Sequence, residues 1–401
     1  MKLVVNMNYQ KGHSVKKVFF LLYSMNIGGV EMSLVNLLSV LPRERYDIYV
    51  GLVQQEGGLL AYLPSDVAIH HISDIQGHWD ELKSPPLQTI KTYIQSCKVI
   101  KTLLALIVYF MCKIQGSLMG WTQYILRDTK GLEEAFDLAI AYAGPASDID
   151  YYICNKVQAK KKIGWIHFDI SKFGIDRKMV RQLYGQYERI FVVSETGKTI
   201  FDQIFPQFKD KTEVFHNIVS PSQIKELAIS GESFKDDFKG KRILTVGRIS
   251  PEKGQFEAIQ ALKILKEKGY DIRWYFVGEG SDLERCKNEV DRIGLSEDVS
   301  FLGTKTNPYA YMRDCDIYMQ PSRHEGFCIT LAEALCFGNP IVSTDFTGAR
   351  EQLKDRENCF VVGMGSEDIA VGVENVMNVP KERKPDHVEN IDIQKLLDLL
   401  G

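Results

Sequence analysis

The amino-acid sequence predicts an α/β protein of two doubly wound domains, and three observations carry that prediction. Short unbroken apolar runs rich in Val, Ile and Phe alternate with amphipathic segments along the chain, the pattern of buried parallel strands with helices on both faces. The alternation halts in a polar stretch punctuated by Pro221, Gly231 and Gly240, then starts again. A length of 401 residues is too great for one ordinary domain and suits two.

In the first half, the run VFFLLY at 18–23 is a strand. It leads through Asn26-Ile27-Gly28-Gly29 into a helix over 31–41. Further strands are predicted at 46–53, 67–72, 136–142, 162–166, 189–194 and 212–216. After Asn217-Ile218-Val219-Ser220-Pro221 come strands at 242–246, 272–277, 299–302, 316–320, 340–343 and 359–362, with a helix over 254–268 after the first of them. The domains are therefore 1–218 and 219–380, each Rossmann-like, followed by a charged tail, 381–401, whose apolar end at 393–400 reads as a last helical turn or two. Residues 1–14 read as an extension without the apolar core of a signal peptide.

Residues 87–127 interrupt the first domain as one or two helices rich in Leu, Ile and aromatic residues, with Lys91, Lys98, Lys101, Lys113 and Arg127 interleaved. Two readings stand: a helical insertion packed on the core, or a helix lying in a membrane interface. Its apolar run at 102–112 is too short to span a bilayer.

A net charge of −3 gives no reason to expect nucleic acid. Eight cysteines form no CxxC pair, which excludes a zinc ribbon, and several lie in apolar runs, as reduced thiols of a cytosolic protein do.

Chemistry concentrates in DIYMQPSRHEGFCITLAEALCFG, 316–338. A strand ends at Gln320, a Pro-Ser turn follows, and a helix is predicted to start near Phe327, offering unpaired N–H groups to a phosphate. Glu325 and Glu333, eight residues apart, are expected about 12 Å apart at a helical rise. That separation suits one carboxylate on a sugar and one on a ribose, with Gly326 allowing close backbone approach. Arg248 and Lys253 in VGRISPEKG (246–254) straddle a turn at the carboxyl end of a strand, where open α/β sheets bind ligands and two cations can neutralise a leaving diphosphate. Gly28-Gly29 precedes another helix but lacks dinucleotide-fingerprint spacing. His167 ends the run IGWIH at the same kind of edge. Asp148-Ile149-Asp150 and Asp314-Cys315-Asp316 match a DxD pattern; no metal is expected at either, because Arg248 and Lys253 already supply positive charge.

With NIGGVE (26–31), VGRISPEKG, VGEG (277–280), FLG (301–303) and PSRHEGFCITLAEALCFGNPIVST (321–344) in this order, the chain resembles the family 4 retaining glycosyltransferases of the GT-B fold. The resemblance implies two Rossmann-like domains facing across a cleft. It implies a metal-independent hexosyltransferase without a cofactor, using a nucleotide-sugar, most commonly a UDP-sugar, as co-substrate. By the same resemblance, Arg248 and Lys253 bind the diphosphate, Glu333 the ribose and Glu325 the donor sugar. Gly326, Phe327, Cys328 and Ile329 lie beside sugar and phosphates, Gly28 and Gly29 close on the diphosphate, Thr304 and Lys305 face the base, and His167 stands near the reaction centre. Cys328 departs from the family's usual glycine, which bears on the fit of the donor sugar. The tail would cross back to the first domain. The expected acceptor is a membrane lipid or lipid-linked glycan, met by a cytoplasmic protein peripheral on the inner face of the membrane. The alternatives are a soluble small-molecule acceptor, or nucleotide-sugar binding without catalysis.

Overall fold

The computed structural model describes residues 15–145, 147–354, 356–381 and 392–400. The extension at 1–14 and the tail over 382–391 lie outside the described residues. Two parallel sheets organise the chain. The first contains β1 (Lys16–Leu22), β2 (Tyr46–Leu52), β3 (Ala68–His71), β4 (Ala135–Gly144), β5 (Gln158–Ile166), β6 (Arg189–Val192) and β7 (Thr212–Val214), in the order β3-β2-β1-β4-β5-β6-β7. The second contains β8 (Lys241–Val246), β9 (Ile272–Val277), β10 (Val299–Phe301), β11 (Ile317–Gln320), β12 (Ile341–Thr344) and β13 (Cys359–Val362), in the order β10-β9-β8-β11-β12-β13. In each sheet the chain reverses direction of travel beside its first strand, between β1 and β4 and between β8 and β11. These switch points are where doubly wound sheets open a crevice at their carboxyl edge.

The two-residue period of the strands distributes the core. Val18, Phe20 and Leu22 of β1 enter one cluster, and Phe19 and Leu21 enter another on the opposite face. The first cluster runs without a break into the second domain through Leu244, Tyr318 and Leu331, so the domains share apolar packing on their facing sides. Burial of each such large side chain contributes about 1.5–3 kcal/mol.

Seven helices bear on function: α1 (Gly29–Val40), α2 (Pro86–Gln95), α3 (Val99–Gln115), α4 (Met119–Ile125), α5 (Arg177–Tyr184), α6 (Ile329–Leu335) and α7 (Ile393–Leu400). The insertion is thus three helices, α2 to α4, rather than one or two. Gly116, left-handed at φ 61, stops α3. Helix α7 lies against the first domain. Leu396 is fully buried, Lys161 donates to the Leu399 carbonyl at 2.8 Å, and Lys395 donates to the Val214 carbonyl at 2.5 Å. His216, just past β7, joins both domains and the tail. Its Nε2 meets Glu351 at 2.7 Å and its Nδ1 meets Asp392 at 2.8 Å. The hydrogen bonds to Asp392 and Glu351 raise its pKa to about 9, so it joins them as a cation.

Candidate active site

The loops after β1, β8 and β11 converge where the two switch points face each other. The loop after β8 makes a short turn at Pro251–Lys253 and then passes Gly254, held at φ 70. A Cβ on Gly254 would stand 2.0 Å from the Pro321 carbonyl oxygen, so only glycine lets this loop press against the one after β11. That contact presents Lys253 to Glu325, Nζ to Oε1 at 2.5 Å. Burial alone would lower the Lys253 pKa, but Glu325 outweighs it and the net shift is upward; the ammonium stays charged. Glu325 is held from behind by a relay: Tyr318 donates to Gln320 at 2.8 Å, Gln320 to Ser322 at 2.8 Å, and Ser322 to Glu325 Oε1 at 2.7 Å.

Arg248 projects from the same strand end and makes no ion pair among the described residues. It faces Glu31 of α1, whose carboxyl is pushed up by burial and pulled back in part by Arg248. Glu333, on α6, is 3% exposed and accepts a 2.9 Å hydrogen bond from the Tyr309 hydroxyl. Burial raises its pKa to about 7.

Two contiguous cavities, about 200 Å³ and 550 Å³, meet along a shared wall of Gly29, Arg248, Lys253, Glu325, Cys328 and Ile329. The first also holds Gly28, Thr304, Lys305 and Glu333; the second holds His167, Gly326 and Phe327. Every candidate residue therefore lines one cavity or both. Lys305 is drawn partly aside by Glu232, at 3.8 Å. Gly28 caps α1 in extended conformation, and the Glu31 carboxyl turns back over the start of the helix: it accepts from its own amide, and a Cβ on Gly28 would stand 2.5 Å from its Oε2. A Cβ on Gly29 would sit 3.5 Å from Ile329, so the domains nearly touch here.

His167 follows β5 directly. Both ring nitrogens are buried without a hydrogen-bond partner, and the ring packs on Tyr142 at 4.5 Å and parallel to Trp165 at 6.0 Å. Burial drives its pKa down to about 3, so the imidazole is neutral, with one donor and one acceptor unused. A buried polar group in a cavity wall with no partner calls for a ligand or water to complete it. Gly326 is what lets the second domain approach it: a Cβ there would lie 2.0 Å from the His167 carbonyl oxygen. Gly326→Ala is therefore expected to force these loops apart, cutting turnover about 10–100-fold while costing about 1–3 kcal/mol of stability. Steady-state kinetics beside urea unfolding reads both; unchanged turnover would contradict the close approach.

The structure corrects one local expectation. Helix α6 begins at Ile329, with Cys328 as its cap, so Phe327 and Cys328 belong to the loop and a helical rise does not measure the span from Glu325 to Glu333. Cys328 is buried, 3.3 Å from the Thr330 hydroxyl, and burial pushes its thiol up; it acts as a small neutral wall. The first DxD pair is structural: Asp148 pairs with Lys83 at 2.9 Å and Asp150 accepts from Tyr187 at 2.5 Å. In the second, Asp314 binds Arg313 and Ser233, and Asp316 binds Lys241 and the Arg242 amide. Sequence reasoning missed Tyr309, Ser322, Glu31 and Asn217, whose buried side-chain oxygen also lacks a partner in the second cavity wall. Tyr309 sits in no spacing that marks chemistry and Asn217 reads as part of the domain junction, while Glu31 and Ser322 lie inside NIGGVE and PSRHEG without a role that spacing assigns.

Two Rossmann-like domains meeting at their carboxyl edges define a GT-B fold, and this chain has it. A solved structure of Anabaena Alr3699/HepE in complex with UDP and glucose superposes with a TM-score of 0.61 at 20% identity, over 91% of this chain and 90% of that one. The family model of the glycosyl transferases group 1 matches residues 231–388, which hold the second sheet. An uncharacterized glycosyltransferase of Methanocaldococcus jannaschii is 26% identical over 234 residues, 54% of this chain and 58% of that protein. A phosphatidyl-myo-inositol mannosyltransferase of Mycobacterium leprae is 35% identical over 130 residues, 31% of this chain and 34% of that protein. The chain thus matches little more than half the length of the first of these relatives, and a third of the second.

Proposed function

We propose that this protein transfers a hexose or N-acetylhexosamine from a UDP-sugar to a membrane lipid or lipid-linked glycan, with retention and without a metal, as a cytoplasmic protein peripheral on the inner face of a membrane. One observation carries the reading. Arg248 and Lys253, two cations at one switch point, line one cleft with the carboxylates of Glu325 and Glu333 and with Gly28 and Gly29 of the other domain. A nucleoside diphosphate sugar offers anionic oxygens to such cations and hydroxyls to such carboxylates. The UDP and glucose held by the Anabaena neighbour and the lipid named for the mycobacterial relative support donor and acceptor class.

In this mechanism Glu333 takes ribose hydroxyls and Glu325, oriented by Ser322 and Lys253, takes hydroxyls of the donor sugar. Thr304 and Lys305 flank the base. The bond from the sugar's anomeric carbon to the β-phosphate oxygen breaks, and the electron pair leaves on UDP. Arg248 and Lys253 stabilise that charge, with Gly28 and Gly29 at the start of α1 closing on it. The acceptor hydroxyl adds to the same face of the sugar, and its proton passes to the departing phosphate oxygen. Neutral His167, beside Gly326, donates to the sugar without competing as a base. Positioning and charge stabilisation therefore do the catalysis, and domain closure excludes water.

Thermal-shift titration with UDP-, GDP- and ADP-sugars tests the donor, since a bound ligand stabilises by mass action. A UDP-sugar is expected to raise Tm alone. A response only to GDP or ADP overturns the base, and no response to any overturns the reading. Incubating radiolabelled donor with a membrane extract is expected to place label in the organic phase; label confined to the aqueous phase overturns the lipid acceptor.

A further inference from the structure

Helix α3 is amphipathic the wrong way round. Its only buried residues are Ala105 and Cys112, which lie on one side at helical spacing. The opposite side carries Val99, Ile100, Leu103, Ile107, Phe110 and Ile114, each at least half exposed, with Ile100 at 77% and Ile114 at 73%. Of the 19 exposed large hydrophobic residues among those described, 12 fall between Leu87 and Leu118, so this is one patch and not scattered surface. A contiguous apolar face of this kind marks a contact surface. At 17 residues the helix is about 25 Å long, and no helix among those described is long and apolar enough to cross a membrane.

Charge distinguishes the occupant. From Leu82 to Arg127 there is no acidic residue, in a chain that has 52. Lys101 and Lys113 lie on α3 outside the apolar arc, and Lys98 caps its start; none of the three makes an ion pair among the described residues, whereas Arg127, farther along, is paired with Asp128 at 3.2 Å. A second copy docking symmetrically through this face would set cations against cations with no anion to answer them. Anionic headgroups answer them, while the apolar side sinks into the acyl boundary and the lysines reach up to the interface.

We infer that α3 is a membrane-docking helix that lies flat on an anionic bilayer and sets the acceptor cavity at the lipid surface. This deepens the proposed function and rests on it for the acceptor. The link to the cavity is explicit. Where α3 ends, the Ser117 hydroxyl and the Leu118 amide both donate to Asp176 Oδ2, at 2.8 and 2.6 Å, and Lys178 of α5 donates to the Gln115 carbonyl at 2.6 Å. Asp176 closes the loop from Phe168 that carries Lys172 and exposed Phe173 along the His167 cavity. Fixing the height of α3 therefore fixes the height of this mouth.

The test is flotation of the full chain with vesicles of phosphatidylcholine alone, and of phosphatidylcholine mixed with phosphatidylglycerol. Wild type is expected to float with the mixed vesicles. The triple variant Leu103→Ser, Phe110→Ser, Ile114→Ser is expected to lose about tenfold or more in partitioning. Because these side chains are exposed, the variant keeps its Tm and its UDP-induced shift. Lys98→Gln, Lys101→Gln, Lys113→Gln is expected to float only weakly and to abolish the preference for phosphatidylglycerol. Wild type that stays at the bottom of the gradient, floats equally with both vesicles, or forms a dimer in light scattering that the serine variant dissolves overturns the inference. The UDP shift is read in the same samples: vesicle binding without it sinks the functional reading and leaves the docking face standing.

Discussion

Arg248→Ala is expected to lower kcat about 10²–10³-fold while leaving the unfolding free energy almost unchanged. Lys253→Ala should lose as much turnover and also destabilise the fold by about 3–5 kcal/mol. Both cations sit on one loop and face one diphosphate site, yet their neighbours differ. Arg248 makes no ion pair among the described residues, and it only pulls part-way down the carboxyls of Glu31, which burial raises, and of Glu252, which the Ser250 hydroxyl also holds down. Removing the guanidinium thus breaks no direct pair. Lys253 is paired with Glu325, whose side chain is only 11% exposed. Removing the ammonium leaves a desolvated carboxylate with Ser322 as its remaining donor. The double variant Lys253→Met, Glu325→Gln separates the two effects: it should recover most of the stability and none of the turnover. Urea denaturation with kcat measured on the same preparations decides it. Equal stability losses in the two alanine variants would show that the Lys253–Glu325 pair carries no special structural weight. Full activity in Arg248→Ala would remove the guanidinium from the reaction.

The strands were legible because each is an unbroken apolar run bounded by turn residues. Phe19 and Phe20 can point to opposite cores only if β1 is covered on both faces, and its composition says that it is. Arg248, Lys253 and Glu325 were legible as charged residues at strand ends, where a solvated surface residue has the same appearance until the sheet edge is known. Their pairing was not legible: Lys253 and Glu325 are 72 positions apart, and what joins them is the contact of Gly254 with Pro321. Tyr309 was invisible for the same reason, lying 24 positions before the carboxylate it binds. The start of α6 was misplaced because Phe327 and Cys328 continue the apolar spacing of Ile329 and Leu331, and neither is a side-chain cap that would mark the boundary. Helix α3 shows the limit most clearly. A run apolar almost all round has no sequence signal for its inner face, and only Ala105 and Cys112 against the body of the domain reveal which way it turns.

Glu333→Gln should stabilise the free protein and weaken nucleoside binding, and both effects should depend on pH. The carboxyl titrates at about 7 when folded, against 4.5 when it is unperturbed. Between these values the folded state keeps a proton that the unfolded state has released. Stability from this group is therefore undiminished below about pH 4.5 and falls as pH rises, with the full penalty, about 3 kcal/mol, reached above pH 7. A glutamine pays nothing over that range. At pH 8 the variant should be the more stable by up to that amount, and at pH 4.5 the two should converge. Binding runs the other way. Ribose hydroxyls donate to the ionised carboxylate, so ligand and ionisation favour each other. Wild-type affinity should rise with pH up to about 7 and then level, whereas the amide, which cannot ionise, should give a flat profile. Uridine is the ligand to use, because it carries no phosphate to titrate in the same window. Hydrogen bonds to a charged partner are worth about 1.5–3 kcal/mol, so calorimetry at pH 8 should find uridine binding weakened about 10–100-fold in Glu333→Gln. A flat wild-type profile, or equal affinities at pH 8, would take the ribose away from Glu333. The stability curve would still stand, because it depends only on the burial of Glu333 beneath Tyr309. The protein would then be holding a costly charge in its core for some other ligand group, since nothing in the packing requires it.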